Sequence, residues 1–390
     1  MNIVIVNTQP VPSKGVGAAS VNRILSYTKG LINEGNNVCI LSTAVGDLDN
    51  WQKYEGIPVK HLGKSSKTTI QRWFYYIGTS LRLLKELSRK EKDLVLFVTS
   101  NYFLTILLEI YCKINKIKIV NERGEFPFVL VRQSKWIKLI APLYTNTAYK
   151  MLDGMVLMTK PLMEYYQKKV GKGCKLFEMP MTVDIDRFAN LEKSNNSIGD
   201  YIAYCGSLSN SSLSNKNAIT NLIEAFSMVE PLYPDLKLLL IGGTSNPGEM
   251  EGYKEAVASY GLHNVVFYGR VNRDEMPCLL KNAKALLLAR CSNLQTRGGF
   301  PTKLGEYLAT GNPVVVTAVG DVPLYLNSTN SFIVKPNDNK AFAERLLEVL
   351  ADEEHAAAVG KEGQKLAFSV FNAKEQSKKL DYYLKELVGK

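Results

Sequence analysis

The chain has 390 residues, 46% of them hydrophobic and 22% charged, and a mean hydropathy of −0.08. This length exceeds what one hydrophobic core usually serves, so we expect two domains of a soluble globular protein. No apolar run reaches the ~18 residues of a membrane-spanning helix, and residues 1–6 have the pattern of a buried strand, not of a signal peptide. The six cysteines form no CxxC pair and the three histidines lie near no acidic cluster, so we expect a cytoplasmic protein without a zinc site.

The net charge of +11 is unevenly distributed along the chain. Residues 1–190 contain 27 Lys and Arg against 15 Asp and Glu, while the remainder contains 21 against 22. Such asymmetry favours an anionic partner for the first half, such as a membrane surface, a phospholipid-linked substrate or nucleic acid. A generally basic composition without a specific partner explains the charge equally well.

Strands and helices are predicted to alternate from the N-terminus onward. Residues 3–7 form a predicted buried strand, residues 20–34 a helix that ends at Gly35, and residues 38–42 the next strand. Further strands are predicted at residues 94–99 and 117–121. Strands that are apolar on both faces and alternate with helices are typical of a parallel sheet covered on both sides.

The alternation pauses near residue 190 and then begins again. New strands are predicted at 201–204, 236–241, 265–268, 285–288 and 314–317. We therefore predict an α/β fold with two Rossmann-like parallel-sheet domains, residues 1–190 and 191–372, that face a cleft. A last helix, over about residues 373–387 of the segment 373–390, is expected to pack back on the first domain.

Two glycine-rich segments are candidates for a nucleotide site. Residues 15–20, with Gly17, resemble a dinucleotide-binding loop, but they follow the first strand after a long, proline-containing segment. Residues 298–313 are the stronger candidate, because paired glycines precede a predicted helix that carries Lys303 and Glu306. The helix start and Lys303 suit a diphosphate, and the Glu306 carboxylate can accept two hydrogen bonds from a ribose diol.

Three further groups are predicted at the same sheet edge. Arg290 follows the strand at 285–288, Gly206 follows the strand at 201–205 and leads to Lys216, and Gly242 follows the strand at 236–241. In parallel α/β sheets, ligands bind outside the carboxyl ends of the strands. The sequence therefore predicts one anion-binding edge in the second half of the chain.

These residues resemble family 4 glycosyltransferases, which are retaining enzymes of the GT-B fold. The resemblance covers most of the chain and is most specific at residues 201–317, including the block 305–314, with Asn22, Arg23 and residues 180–188 also similar. It implies that Glu306 binds the donor ribose, that residues 298–302 lie against the sugar and diphosphate, and that Lys303, Arg290 and Lys216 neutralise the leaving group. Gly298 stands where the family has a first glutamate, which leaves the donor sugar open.

The predicted site can be stated residue by residue. Glu122, after the strand at 117–121, is the candidate group that orients or deprotonates the acceptor hydroxyl, with a salt bridge to Arg123 or a helix cap as the alternative. Catalytic roles are predicted for Glu122, Lys303 and Arg290. Donor-binding roles are predicted for Gly17, Gly206, Lys216, Gly242, Gly298, Gly299, Phe300, Pro301, Thr302, Lys303, Leu304 and Glu306.

The expected substrates are a UDP- or GDP-linked sugar and a glycan or lipid-linked acceptor, without a metal, another cofactor or nucleic acid. Residues 113–118 and 132–140 interleave basic and apolar residues, which suits peripheral docking to an anionic membrane. The alternative for both segments is an amphipathic helix that packs on the core.

Three other functions would account for parts of the sequence. A nicotinamide-dependent oxidoreductase requires an acidic residue after the second strand, where residues 42–46 have none. A nucleotide-sugar epimerase or hydrolase of the same fold would bind the donor in the same way. A non-catalytic sugar- or anion-binding protein would explain the basic half but not the cluster at residues 298–313.

Overall fold

The computed structural model describes residues 1–12, 18–47, 50–65, 67–99, 101–127, 135–194, 197–209, 217–244 and 246–390. The chain divides into two compact units, of which unit 1 comprises Met1–Thr182 with Ala373–Lys390 and unit 2 comprises Val183–Asn372. Each unit contains one sheet with helices, so the prediction of two parallel-sheet α/β domains is confirmed. The boundary was predicted near residue 190.

Unit 1 is built on an eight-stranded sheet in the order β3-β4-β2-β1-β5-β6-β7-β8. All described pairs are parallel except β3 with β4. The strands are β1 (Asn2–Asn7), β2 (Asn37–Val45), β3 (Gln52–Tyr54), β4 (Ile57–Gly63), β5 (Leu94–Val98), β6 (Lys118–Arg123), β7 (Gly154–Leu157) and β8 (Lys175–Glu178). The helices of this part are α1 (Ala18–Asn33), α2 (Thr69–Ser88), α3 (Tyr102–Ile114), α4 (Lys135–Thr147) and α5 (Lys160–Gln167).

Unit 2 has a six-stranded, entirely parallel sheet in the order β11-β10-β9-β12-β13-β14. Its strands are β9 (Tyr201–Cys205), β10 (Lys237–Ile241), β11 (Val265–Gly269), β12 (Ala285–Leu288), β13 (Val314–Thr317) and β14 (Phe332–Val334). Its helices are α6 (Ile219–Ser227), α7 (Pro247–Ser259), α8 (Met276–Asn282), α9 (Leu294–Gly298), α10 (Lys303–Ala309), α11 (Val322–Tyr325), α12 (Asn339–Ala351) and α13 (Glu353–Ser369). A 3₁₀ turn, Ile185–Arg187, precedes the first of these strands.

The last helix, α14 (Ala373–Val388), belongs to unit 1. Its apolar residues Leu380, Leu384 and Leu387 are part of the same buried cluster as the strands β1 and β2. The Tyr383 hydroxyl donates a hydrogen bond to the carbonyl of Lys175, at 2.7 Å. The core of unit 1 is therefore completed by the C-terminal segment.

Unit 2 begins and ends at adjacent points. The N–H of Val183 donates to the carbonyl of Phe371 at 2.8 Å, and Val183 pairs with Asn372 in an isolated parallel bridge. The first and last residues of unit 2 are thus held together, although 189 positions separate them in the sequence.

No helix in the described part of the chain has both the length and the apolar composition that crossing a bilayer requires.

Candidate functional site

The candidate site lies at the carboxyl edge of the sheet of unit 2, where the strand order reverses. From β9 the chain adds β10 and then β11 towards one edge of the sheet. It then returns to the other side of β9 and adds β12, β13 and β14 towards the opposite edge. Ligands of doubly wound sheets bind in the crevice at such a switch point. Gly206 follows β9 directly, and Arg290 follows β12 and pairs with Asn217 in an isolated bridge.

Lys303 and Arg290 converge on one tyrosine at this edge. The Lys303 Nζ atom donates a hydrogen bond to the Tyr204 hydroxyl and lies 4.1 Å from the centroid of its ring. Tyr204 is fully buried at the end of β9, and its hydroxyl donates in turn to the carbonyl of Ser207 at 2.9 Å. Burial raises the pKa of Tyr204 well above its usual value, and the nearby positive charge of Arg290 opposes this shift. Two of the three predicted cations, Lys303 and Arg290, therefore act on the same tyrosine near the end of β9.

Helix α10 carries the functional side chains of this edge on one face. Lys303, Glu306 and Tyr307 are three and four positions apart, which places them side by side on a helix. The Tyr307 hydroxyl accepts a hydrogen bond from the N–H of Cys205 at 2.7 Å and donates to the Cys205 carbonyl at 3.1 Å. This pair of bonds fixes the helix against the end of β9. The neighbouring Lys303 charge lowers the pKa of the Cys205 thiol, but burial is the larger effect and raises that pKa to about 12.

Glu306 is held by an arginine that local sequence patterns did not single out for a role. The Arg187 Nη1 atom lies 3.1 Å from the Glu306 Oε1 atom, and the same guanidinium donates to the carbonyl of Arg273. Both members of the ion pair are largely buried. Burial raises the pKa of Glu306, while the charge of Arg187 and its hydrogen bond oppose the shift, as do the charges of Arg273 and Lys303.

Two glycines allow the close packing of this edge. A Cβ atom on Gly206, where φ is +151°, would lie 2.0 Å from the Lys303 Nζ atom. A Cβ atom on Gly242, where φ is +145°, would lie 1.8 Å from the carbonyl oxygen of Gly206. The backbone conformation therefore favours glycine at both predicted positions, and at Gly242 the nearby backbone also leaves no space for a Cβ atom.

Gly242→Ala is expected to destabilise unit 2 and to weaken nucleotide binding. The backbone strain alone costs about 1–3 kcal/mol, and the contact with a carbonyl oxygen cannot be relieved by a side-chain rotation. Thermal unfolding of the full chain measures the first effect and titration with UDP the second. Gly252→Ala, at a helical glycine with nothing within 4 Å of an added Cβ atom, is the matched control. It should leave UDP binding unchanged and should not lower the unfolding temperature, since alanine favours a helix interior by about 1 kcal/mol over glycine. Equal behaviour of the two variants would contradict the steric interpretation.

Residues 298–304 differ from the predicted glycine loop. Gly298 is the last residue of α9, a short helix that begins with a capping box between Asn293 and Thr296. Phe300 is buried, with its ring centroid 5.6 Å from that of Tyr325 and 5.7 Å from that of Phe371.

Leu304 is fully buried and Pro301 is buried. The side chains of Phe300, Pro301 and Leu304 therefore pack inside unit 2, and their predicted donor-binding roles stay predictions. Gly299 is also buried and Thr302 is half-buried at the start of α10. Their donor-binding roles, like that of Gly298, remain predictions.

Glu122 lies within β6, not at an exposed strand end. Its side chain is 5% exposed, and its Oε1 atom accepts a hydrogen bond from the Arg23 Nε atom at 2.8 Å. The Arg23 guanidinium also donates to the carbonyls of Pro180 and Met179, at 2.6 and 2.8 Å. The structure thus places Glu122 in a buried ion pair and does not support its predicted role as the group that deprotonates the acceptor. The alternative, a salt bridge, describes the residue, with Arg23 as the partner.

Two predicted donor-binding residues, Gly17 and Lys216, lie outside the described residues. Among those that the structure describes, no group of three or more His, Cys, Asp and Glu side chains is arranged to hold a metal ion.

The part of the chain that contains this edge matches a known family. Residues 207–366 match the family model described as glycosyl transferases group 1. Over 161 residues the chain is 29% identical to a GDP-mannose-dependent monoacylated alpha-(1-6)-phosphatidylinositol monomannoside mannosyltransferase of Corynebacterium glutamicum, a match to 40% of each protein. Over 133 residues it is 31% identical to a trehalose phosphorylase of Pleurotus pulmonarius, a match to 32% of this chain and 18% of that protein. Each match thus spans well under half of the relative.

Solved structures match over the whole chain. Sucrose-phosphate synthase from Thermosynechococcus elongatus has a TM-score of 0.77 at 16% identity, with 100% of this chain and 99% of that chain covered. Anabaena HepE in complex with UDP-glucose has a TM-score of 0.73 at 14% identity, with 98% and 99% covered. At these identities the likeness shows the fold, which is the predicted GT-B fold.

Proposed function

Since residues 207–366 match the family model described as glycosyl transferases group 1, we propose that the chain is a retaining glycosyltransferase. It moves a sugar from a nucleotide-diphosphate donor to a glycan or lipid-linked glycan, in the synthesis of a surface polysaccharide or glycoconjugate. The observation that carries the proposal is the position of two cations and one carboxylate, Lys303, Arg290 and Glu306, at the switch point of unit 2. This combination suits a diphosphate and a ribose diol.

The donor is proposed to lie across this edge with its diphosphate towards Lys303 and Arg290. During transfer, the bond from the anomeric carbon to the diphosphate oxygen breaks and its electron pair stays on the leaving group. Fixed cations stabilise that developing charge without a change in their own positions. No metal is assigned to this step, because the two side chains supply the positive charge.

Glu306 is proposed to accept the two hydroxyl hydrogens of the donor ribose. This requires the ionised carboxylate, which burial disfavours and Arg187 favours. Arg187 thus has a positioning role, because it orients the carboxylate and keeps it charged. UDP is the first ligand to test, since HepE was solved with UDP and with UDP-glucose.

The acceptor is proposed to be presented at the inner face of a membrane, with the chain in the cytoplasm and in peripheral contact. The excess of positive charge in residues 1–190 supports this part of the proposal. The mannosyltransferase relative, by its name, acts on a phosphatidylinositol mannoside, which is a lipid-linked glycan.

Thermal unfolding in the presence of UDP, GDP, UDP-glucose and GDP-mannose tests donor binding. A ligand at 100 times its Kd stabilises the folded protein by about 2.7 kcal/mol, so at least one should raise the unfolding temperature. Release of nucleoside diphosphate with and without a glycan acceptor then tests transfer. Release that needs no acceptor would favour a hydrolase, and conversion of the donor into its epimer would favour an epimerase. If none of these nucleotides changes the unfolding temperature, the donor site is rejected.

The affinity for UDP is expected to fall on acidification at a higher pH than an ordinary glutamate would give. Because burial raises the pKa of Glu306, protonation removes the ribose acceptor before the pH reaches the usual range for glutamate. Arg187→Met removes the opposing charge, so the loss should begin at a still higher pH. Calorimetric titration with UDP across the pH range measures both curves.

Glu306→Gln provides the control for this pH dependence. Its amide does not titrate, so any remaining change with pH belongs to the ligand or to other groups. Identical pH profiles for the native protein and Glu306→Gln would show that Glu306 does not contact the nucleotide.

A further inference from the structure

Helix α2 has an apolar stripe on its solvent side as well as on its inner side. Phe74, Ile77 and Leu81 are all exposed, Phe74 at 70%, and they recur at the three- and four-residue spacing of one helix face. Lys85, also exposed, continues the same stripe by another turn. A helix that only covers a sheet presents polar residues at these positions.

Helices α3 and α4 repeat this feature. On α3 the exposed apolar side chains are Phe103, Ile110 and Ile114, of which Ile114 is 75% exposed. On α4 they are Leu139 and Leu143, one turn apart. All of these helices are in unit 1 and have another face in its core, so the exposed stripes are additional to the stripes that the fold needs.

Aromatic contacts join the three helices side by side. Tyr76 of α2 and Phe103 of α3 have ring centroids 5.8 Å apart, and the Tyr76 hydroxyl donates to Asn101 at the start of α3. Tyr102 of α3 and Tyr144 of α4 have ring centroids 5.3 Å apart. The three helices therefore lie next to one another, and their exposed apolar side chains are called the α2–α4 face: Phe74, Ile77, Leu81, Phe103, Ile110, Ile114, Leu139 and Leu143.

The charged side chains of these helices are mostly basic. The sequences of α2, α3 and α4 contain six Lys and Arg and only two carboxylates, Glu86 and Glu109. Glu86 is buried and paired with Lys60 and Arg89. Glu109 is completely buried, and burial raises its pKa to about 8. In the described part of these helices, no carboxylate therefore reaches the solvent face.

The lysines at 113–118 are less suited to this role than the sequence suggested. Lys113 and Lys118 both lie beside Asp153, at 3.0 and 3.6 Å. Part of the positive charge of these lysines is therefore neutralised by Asp153 within unit 1. The exposed apolar side chains of α2–α4 extend over a larger area than these lysines. The sequence prediction of membrane docking did not include those on α2.

We propose that the α2–α4 face is a docking surface for an anionic lipid bilayer, into whose interface the exposed apolar side chains insert. Charge complementarity selects this partner, since apolar stripes beside the exposed Lys85, on helices whose two carboxylates are buried, match acidic headgroups over acyl chains. A second copy of the same face would bring like charges together and is the weaker partner. The inference deepens the proposed function, because it names the surface that would bring the chain to a lipid-linked acceptor.

Co-sedimentation of the full chain with vesicles tests the proposal. The native protein is expected to bind vesicles of phosphatidylcholine with phosphatidylglycerol, and to bind phosphatidylcholine alone much less. Phe74→Ser with Leu81→Ser should lower the partition onto anionic vesicles by about tenfold or more, because two inserted side chains are lost. Lys85→Gln should lower it by about fivefold, and about 1 M salt should weaken binding of the native protein.

The matched control is Leu232→Ser with Leu324→Ser, which removes two exposed apolar side chains from unit 2. This variant should bind vesicles like the native protein. Equal binding by the α2 double variant, or equal binding to neutral vesicles, would overturn the proposal. So would self-association of the native chain that the α2 variant abolishes, since the face would then be a dimer interface.

UDP titration of the same variants separates this inference from the proposed function. All of the substituted side chains are exposed, so the variants should fold and bind UDP like the native chain. Vesicle binding without nucleotide binding would leave the docking surface standing and reject the transferase. Nucleotide binding without vesicle binding would reject the docking surface and leave the proposed transferase standing.

Discussion

Lys303→Met is expected to lower the turnover of sugar transfer by about a hundredfold to a thousandfold, the range for removal of one group that stabilises developing negative charge. Methionine keeps a flexible stem of similar length, but it has no charge to place beside the diphosphate. The fold should survive, because the Tyr204 hydroxyl retains its hydrogen bond to the Ser207 carbonyl. Release of nucleoside diphosphate at saturating donor measures the effect.

Lys281→Met is the matched control for this variant. Lys281 is a half-buried lysine of the same unit, and its Nζ atom donates to the carbonyl of Thr310 at 2.8 Å. Burial lowers its pKa, so its environment resembles that of a functional lysine without a place at the site edge. Turnover should remain near the native value. An equal loss in both variants would mean that Lys303 acts through the structure of unit 2 and not on the donor.

Arg23→Met is expected to destabilise unit 1 by about 3–5 kcal/mol, because it leaves the Glu122 carboxylate buried without its partner. For a unit of about 200 residues this lowers the unfolding temperature by roughly 10 °C. It also removes the donors to the carbonyls of Pro180 and Met179. Thermal unfolding of the full chain, followed by circular dichroism, measures the change.

Arg23→Met combined with Glu122→Leu tests the cause of that loss. If the unpaired carboxylate dominates, the double variant should recover most of the stability, since an apolar pair can replace a buried ion pair at little cost. Recovery of folding without recovery of transfer would mean that Arg23, Glu122 or the pair has a part in the reaction. No recovery of stability would attribute the loss to the two carbonyls instead.

The strands of unit 2 are the part of the fold that the sequence predicted best. Apolar runs such as residues 285–288 and 314–317 are buried on both faces, and the observed strands β12 and β13 have those same limits. Lys303 and Glu306 were also predicted together, because their spacing on one helix face is a local property. Such features depend on residues only a few positions apart in the chain, and a local sequence pattern is therefore enough to predict them.

Features that depend on distant or hidden partners were not predictable in this way. The pairing of Arg187 with Glu306 joins residues 119 positions apart. Strand β6 includes Asn121, Glu122 and Arg123, which have the polarity of a loop but are buried with partners such as the carbonyls of Phe97 and Thr99. Helix α9 was missed because the glycine pair at its end favours a loop, whereas its start is fixed by the capping box at Asn293.

The bridge between Val183 and Asn372 has a consequence for how the protein is made. Because unit 2 is a continuous segment whose two ends meet, it can fold as soon as residue 372 has left the ribosome. Unit 1 cannot be completed before unit 2, since Leu380, Leu384 and Leu387 of its core follow unit 2 in the sequence. During translation, residues 1–182 therefore remain an incomplete domain while unit 2 is synthesised. The apolar side chains that α14 later covers stay exposed in that interval.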